Sequence, residues 1–143
     1  MKYISGIFAL NLSCSLETSG DWHTSGLNWD RLRFKESNDS LFSDYGIEDC
    51  GCVPEHSGSY KIANTLRALL DLIDEGKFSI AEGAREDFIC NEAYTQEFFS
   101  KVFMLRGVKS GEDWEKIDKF MRKEYRFDWA DFLKENNAYV RYS

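Results

Sequence analysis

The sequence predicts an α+β fold in which a small N-terminal antiparallel sheet is followed by a C-terminal cluster of about four helices. Two patterns lead to this prediction. Residues 2–35, approximately, show the two-residue periodicity of strands, whereas apolar residues recur every three or four positions after Ser59, as in helices. The chain has 143 residues, of which 43% are apolar. This length is typical of one domain, so we expect a single domain, 1–143, with one core.

The strand-rich part begins at the N-terminus. Ile4 and Phe8 share one parity and Tyr3 and Ile7 share the other, so both faces of the first strand are expected to be covered. A turn rich in Ser, Thr and Gly at 18–21 then separates this strand from further alternating segments. This order predicts a hairpin or a small antiparallel sheet.

The helical part is expected over residues 59–137. An apolar stripe with helical spacing predicts its first helix, over 59–75. The members of this stripe are Ile62, Ala63, Leu66, Leu69, Leu70 and Ile73. Gly76 is placed to end that helix, and Ser110 is placed to begin a later one.

Residues 36–58 form an irregular, acidic connection in this prediction. They are rich in Ser, Asn, Asp and Gly and contain the only proline. Between Lys35 and Lys61 there is no Lys or Arg. The acids in this interval are Glu36, Asp39, Asp44, Glu48, Asp49 and Glu55. A loop longer than about 12–15 residues in a compact domain is usually functional, so a binding site is first expected here.

The net charge of −7 constrains the class of partner. Residues 1–58 hold nine acids and four bases, so most of the excess lies in the first part of the chain. An acidic surface repels phosphate backbones, which disfavours direct nucleic-acid binding and favours a protein partner with a basic surface.

The N-terminal ten residues predict neither a membrane span nor a secretory signal. Ser5 and Gly6 interrupt the apolar run, which is far shorter than the ~20 residues that a spanning helix needs. We therefore expect a cytoplasmic protein that does not enter the membrane. In a reducing compartment the four cysteines are expected to be free or metal-bound.

Two interpretations are possible for Cys50, Cys52 and His56. The favoured one is a pair of loop cysteines, one buried and one not, and the weaker one is a zinc site. Two thiols and an imidazole within seven residues supply soft ligands for zinc. A fourth ligand would come from Cys14, His23 or Cys90. A single residue between paired cysteines sends their side chains to opposite sides of an extended backbone, so no cofactor is the first expectation.

Asp21 and His23 are the candidate catalytic pair. A carboxylate that fixes an imidazole is typical of a general base, and Thr24 or Ser25 would then be the nucleophile. Along a strand, however, Asp21, His23 and Ser25 lie in a line, which does not place a hydroxyl under the ring. The favoured alternative is a hairpin corner that Asp21 caps, with His23 at the rim.

The acidic segment, defined as residues 40–49, combines apolar and aromatic residues with acids and has no compensating base. This mixture suits docking on a basic, partly apolar surface of another protein. The candidate contacts are Phe42, Asp44, Tyr45, Glu48 and Asp49. The alternative is a solvated loop whose apolar residues cover the sheet.

Three short motifs carry a resemblance to a known family. They are Gly20-Asp21-Trp22-His23, Asp44-Tyr45-Gly46-Ile47 and Asp87-Phe88-Ile89-Cys90-Asn91. Over most of its length the chain resembles a family of small bacterial proteins without an assigned activity, whose genes lie beside abortive-infection-type nucleotidyltransferase toxins. The resemblance implies a setting in phage defence or toxin neutralisation and assigns no catalytic residue.

Together these observations predict an acidic protein-binding module that acts as an antitoxin, immunity protein or inhibitor. Its expected partner is a protein with a basic surface, such as a toxin or nuclease. The alternative function is a small hydrolase-like or metal-assisted enzyme centred on His23.

Overall fold

The computed structural model describes residues 1–16, 27–50, 53–84 and 92–136. The chain folds as two compact units, residues 1–81 (the sheet unit) and residues 82–143 (the helical unit). A four-stranded sheet lies in the N-terminal half and helices follow it, which confirms the α+β fold class.

Four short strands form the sheet. They are β1 (Lys2–Ile4), β2 (Phe34–Glu36), β3 (Ile47–Cys50) and β4 (Tyr60–Ala63), in the spatial order β2-β1-β4-β3. β1 pairs with β2 and β3 pairs with β4 in antiparallel fashion, but β1 and β4 are parallel, with Ile4 opposite Ile62. The sheet is therefore mixed rather than purely antiparallel, and β2 and β3 lie at its edges.

The first predicted strand continues as a helix instead. After β1 the chain turns at Gly6, whose φ of +62° suits glycine, and helix α1 spans Gly6–Leu10. α1 packs against α2 (Thr65–Asp74) and buries Ala9 and Leu10. A short run that is apolar on both parities fits a buried helix as well as a buried strand, so the pattern did not separate the two.

The predicted boundaries of the connection and of the first long helix were also wrong. β3 lies inside residues 36–58, and β4 occupies the first positions of the predicted 59–75 helix. α2 begins only after Asn64, whose side chain accepts a hydrogen bond from the Arg67 amide at 2.9 Å. The cap separates strand from helix although the apolar spacing continues across it.

Two predicted helix boundaries are confirmed. α2 ends at Asp74, and Gly76, two residues later, has a φ of +77° and donates from its amide to the Ile73 carbonyl at 3.0 Å. In the helical unit, the Ser110 hydroxyl caps the last long helix by accepting from the Asp113 amide at 3.1 Å.

The helical unit is built from α4 (Glu92–Met104) and α5 (Gly111–Glu135), and α3 (Phe78–Ala81) precedes it in the sheet unit. Single 3₁₀ turns lie at Trp29–Arg31, Ser37–Asp39 and Leu105–Gly107. α5 is interrupted at Arg126, whose φ of 50° and ψ of −122° are not helical. The aromatic core of this unit includes Phe98, Phe99, Tyr125, Trp129 and Phe132.

No helix in the described part of the chain is long and apolar enough to cross a membrane.

Candidate functional site

A buried ion pair lies on α2, directly below the acidic segment. Arg67 and Asp71 are one helical turn apart, 0% and 2% exposed, and the Arg67 Nε donates to Asp71 Oδ1 at 3.0 Å. Removing two charges from water is costly unless their remaining donors and acceptors are satisfied. The partners of this pair therefore define its role.

Two hydroxyl groups donate hydrogen bonds to the Asp71 carboxylate. Tyr3 and Ser5, at β1 and its end, each donate to Asp71 Oδ2 at 2.6 Å. The Tyr3 oxygen also accepts from Arg67 Nη2 at 2.9 Å. Burial, reinforced by the adjacent Asp71 carboxylate, raises the pKa of the Tyr3 phenol, so the hydroxyl keeps its proton and remains a donor.

The guanidinium binds the backbone of the acidic segment. Arg67 Nη1 donates to the carbonyl oxygens of Ser43 at 2.7 Å and Tyr45 at 2.6 Å. The ring centroids of Tyr3 and Phe42 lie 5.0 and 5.6 Å from the guanidinium carbon. Arg67 thus links β1, α2 and the acidic segment at one point.

Gly46 allows the segment to approach α2 this closely. Its φ is +70°, and a Cβ at this position would lie 2.7 Å from Arg67 Cβ and 2.9 Å from Asn64 Oδ1. Its carbonyl accepts from the Asn64 amide at 2.7 Å. Consecutive turns, from Tyr45 N to Phe42 O and from Ile47 N to Asp44 O, complete the fixed backbone. Any side chain at position 46 would force these groups apart.

The predicted partner contacts differ in their surroundings. Asp44 is exposed and Tyr45 is half-buried. The Asp49 side chain is 78% exposed and pairs with Lys61 at 2.5 Å. Glu48 accepts from the amide of Ser15 at 2.7 Å and from its hydroxyl at 2.6 Å. Asp44 and Asp49 are therefore the two predicted contacts whose carboxylates face solvent.

Phe42 differs from its predicted placement. Its side chain is only 4% exposed and its ring lies beside the Arg67 guanidinium. Phe42 is therefore a core residue of the sheet unit rather than part of an exposed docking surface.

The structure places the candidate metal ligands in separate environments. His56 Nε2 donates to the Trp29 carbonyl at 2.6 Å, and Nδ1 lies 3.3 Å from the Tyr60 hydroxyl. Cys14 lies 3.6 Å from the Thr65 hydroxyl, and Cys50 is half-buried in β3. Within the described ranges no three potential ligands form a group, and Cys52, His23 and Cys90 lie outside those ranges.

The candidate catalytic residues Asp21 and His23 also lie outside the described residues. The polar cluster around Asp71 was not identified from the sequence. Its signal is two opposite charges at i and i+4 on a helix that is otherwise apolar on that side. Among the described residues no buried side-chain nitrogen or oxygen lacks a hydrogen-bond partner.

Comparison of the chain with protein-family models, with curated proteins and with solved structures found no match. The resemblance to the toxin-associated bacterial family stays a prediction.

Proposed function

We propose that this chain is a protein-binding module whose acidic segment docks on a basic surface of another protein. The observation that carries this proposal is the fixed backbone of the segment. A buried arginine holds its carbonyl groups at Ser43 and Tyr45, while the Asp44 and Asp49 carboxylates stay in solvent.

Preorganisation is what such a segment gains from Arg67. Ordering one backbone residue costs roughly 1–2 kcal/mol, and this cost lowers the affinity of a loop that becomes ordered only when it binds. The hydrogen bonds from Arg67 and the close contact at Gly46 fix the segment before a partner arrives. Compared with well-packed apolar residues, a buried ion pair adds little net stability. The presence of such a pair beneath a surface segment therefore favours a role in recognition.

The position of β3 at a sheet edge supports contact through side chains. An exposed edge strand tends to pair with strands of other chains, and charged residues on it oppose such pairing. Asp44, just before β3, and Asp49 on β3, which pairs with Lys61, present carboxylates along this edge. A complementary basic surface would be steered towards them.

The proposed partner is a toxin or nuclease whose basic surface binds phosphate groups. Carboxylates that cover such a surface compete with its natural polyanion, which is how an antitoxin, immunity protein or inhibitor would act. The partner class comes from the charge of the segment, and the defence setting comes from the family resemblance.

The test compares two charge reversals of equal size. After capture of the partner from the native host with the wild-type chain, association is measured for the double variant Asp44→Lys/Asp49→Lys. The matched control is Asp131→Lys/Glu135→Lys, which changes two exposed acids near the end of α5. Circular dichroism verifies that both variants remain folded.

We expect the segment variant to associate about tenfold more slowly at low salt, and the control to stay within about twofold of wild type. Higher ionic strength should slow the wild type and affect the segment variant less, because salt screens exposed charges. Equal association rates for wild type and segment variant at all salt concentrations would refute the proposal.

A further inference from the structure

A pocket of about 550 Å³ opens in the sheet unit at the β2 edge, which is the opposite edge from β3. The start of α1, the β2 strand and the end of α2 with the following turn form its lining. Its apolar walls are Ile7, Phe8, Phe34, Leu72 and Ile80. Small-molecule sites commonly have volumes of roughly 300–1,000 Å³, so this pocket is large enough for an organic ligand.

The charged lining of the pocket is positive. Glu75 accepts from Lys35 through one carboxylate oxygen and from Lys77 through the other, the latter at 2.9 Å. Arg33 is exposed in the same lining and has no carboxylate partner among the residues that the structure describes. Three cations and one carboxylate give a local charge of +2 in a chain whose net charge is −7.

An exposed aromatic ring lies next to this excess charge. Phe34 is 45% exposed although it belongs to the wall of the pocket, and it follows Arg33 directly in the chain. Exposed apolar surface beside unbalanced positive charge suits a ligand that has both an apolar body and an anionic group.

We propose that this pocket binds a small amphiphilic anion, with a carboxylate or phosphate group at Arg33 and Lys77 and an apolar body against Phe34 and Ile80. An inorganic anion would leave the apolar walls in water, and a neutral apolar molecule would leave the cations unpaired. The site lies at the sheet edge opposite β3, so it does not depend on the docking proposed for the acidic segment.

The first experiment titrates the ¹⁵N-labelled full-length chain with four probes and follows amide chemical shifts. Decanoate, below its micelle concentration, carries both features of the ligand, whereas decanol lacks the charge and inorganic phosphate lacks the body. Adenosine monophosphate combines a phosphate with an aromatic body. Decanoate or adenosine monophosphate should shift the amides of Gly6, Lys35 and Lys77 and bind at least about tenfold more tightly than decanol and phosphate.

The two organic anions distinguish the source of the ligand. Tighter binding of decanoate indicates a lipid-derived anion, and tighter binding of adenosine monophosphate indicates a nucleotide-like one. Either result supports the site. If neither organic anion shifts the pocket amides, or if decanol binds as tightly as decanoate, the proposal is wrong.

The second experiment removes the proposed anion contacts. Arg33→Gln/Lys77→Gln should weaken binding of the better organic anion by about tenfold, because the anion loses its charged partners. Arg31→Gln is the matched control, since Arg31 is an exposed arginine two residues away and outside the pocket lining. It should change the affinity by less than about twofold. Equal affinities for the double variant and wild type would overturn the assignment.

Discussion

Among the described residues, the sheet unit and the helical unit each bury one aspartate, and the partners of the two carboxylates differ. Asp118 on α5 accepts from Arg122 Nε at 3.0 Å and from the Trp129 indole at 2.9 Å. Both donors lie on the same helix. Asp71 accepts from Arg67 on its own helix, but its other donors, Tyr3 and Ser5, precede it by 68 and 66 residues.

This difference distinguishes a local brace from a long-range connection. Asp118 precedes the interruption at Arg126 and Trp129 follows it, so their hydrogen bond spans the break in α5. Asp71 and Arg67 instead join β1, α2 and the acidic segment. Loss of the first should affect one helix, whereas loss of the second should affect the whole sheet unit.

The largest effect is expected from Arg67→Met. This change leaves the Asp71 charge buried without its cation, which should lower the free energy of unfolding by about 3–5 kcal/mol in urea denaturation. The double variant Arg67→Met/Asp71→Leu removes both charges and should recover at least half of the loss. If Arg67→Met were as stable as wild type, the Arg67–Asp71 pair would not be a long-range connection.

A smaller effect is expected from Asp118→Ala. The buried Trp129 indole would lose its acceptor, which should cost about 1–3 kcal/mol of unfolding free energy. Arg122→Gln is the comparison, because Arg122 is partly exposed and its pair with Asp118 should contribute less than about 1 kcal/mol. Equal losses for the two variants would mean that the ion pair, rather than the indole bond, braces α5.

The smallest effect is expected at Glu75, a carboxylate at the surface. Burial would raise its pKa, but hydrogen bonds and charge from Lys35 and Lys77 outweigh this and lower the pKa below the ordinary value of 4.5. The resulting stabilisation is present above that value and is lost as pH falls through the lowered pKa.

Glu75→Gln should therefore reduce stability by less than about 1 kcal/mol near pH 7, and the difference from wild type should shrink near pH 3. Urea denaturation at both pH values measures this. A difference that grows on acidification would contradict the assigned direction of the pKa shift.

The same contrast explains how much the sequence predicted. The fold class and the helix boundaries at Gly76 and Ser110 follow from periodicity and capping, which are local. The spacing of Asp118 and Arg122 is also a local signal.

The remaining features depend on contacts between distant residues. β3 and β4 have four residues each and pair with each other, and β4 also pairs with β1. Composition alone did not show whether Phe42 is buried or exposed, because its ring lies beside the guanidinium of Arg67, which belongs to another element. The parallel pairing of β1 with β4 and the contact of Tyr3 with Asp71 are long-range in the same sense.

Amide hydrogen exchange of an Arg67→Lys variant tests whether Arg67 holds the acidic segment in place. Lysine keeps the positive charge beside Asp71 but lacks the planar fork that reaches the carbonyl groups of Ser43 and Tyr45. Arg122→Lys is the control, because it makes the same substitution at an arginine of the helical unit that pairs with an aspartate one helical turn away. Exchange of the Tyr45 and Ile47 amides should accelerate about tenfold or more in Arg67→Lys, and by a larger factor than exchange of the Ile62 amide in the sheet. Unchanged exchange at Tyr45 and Ile47 would contradict the claim that Arg67 holds the acidic segment in place.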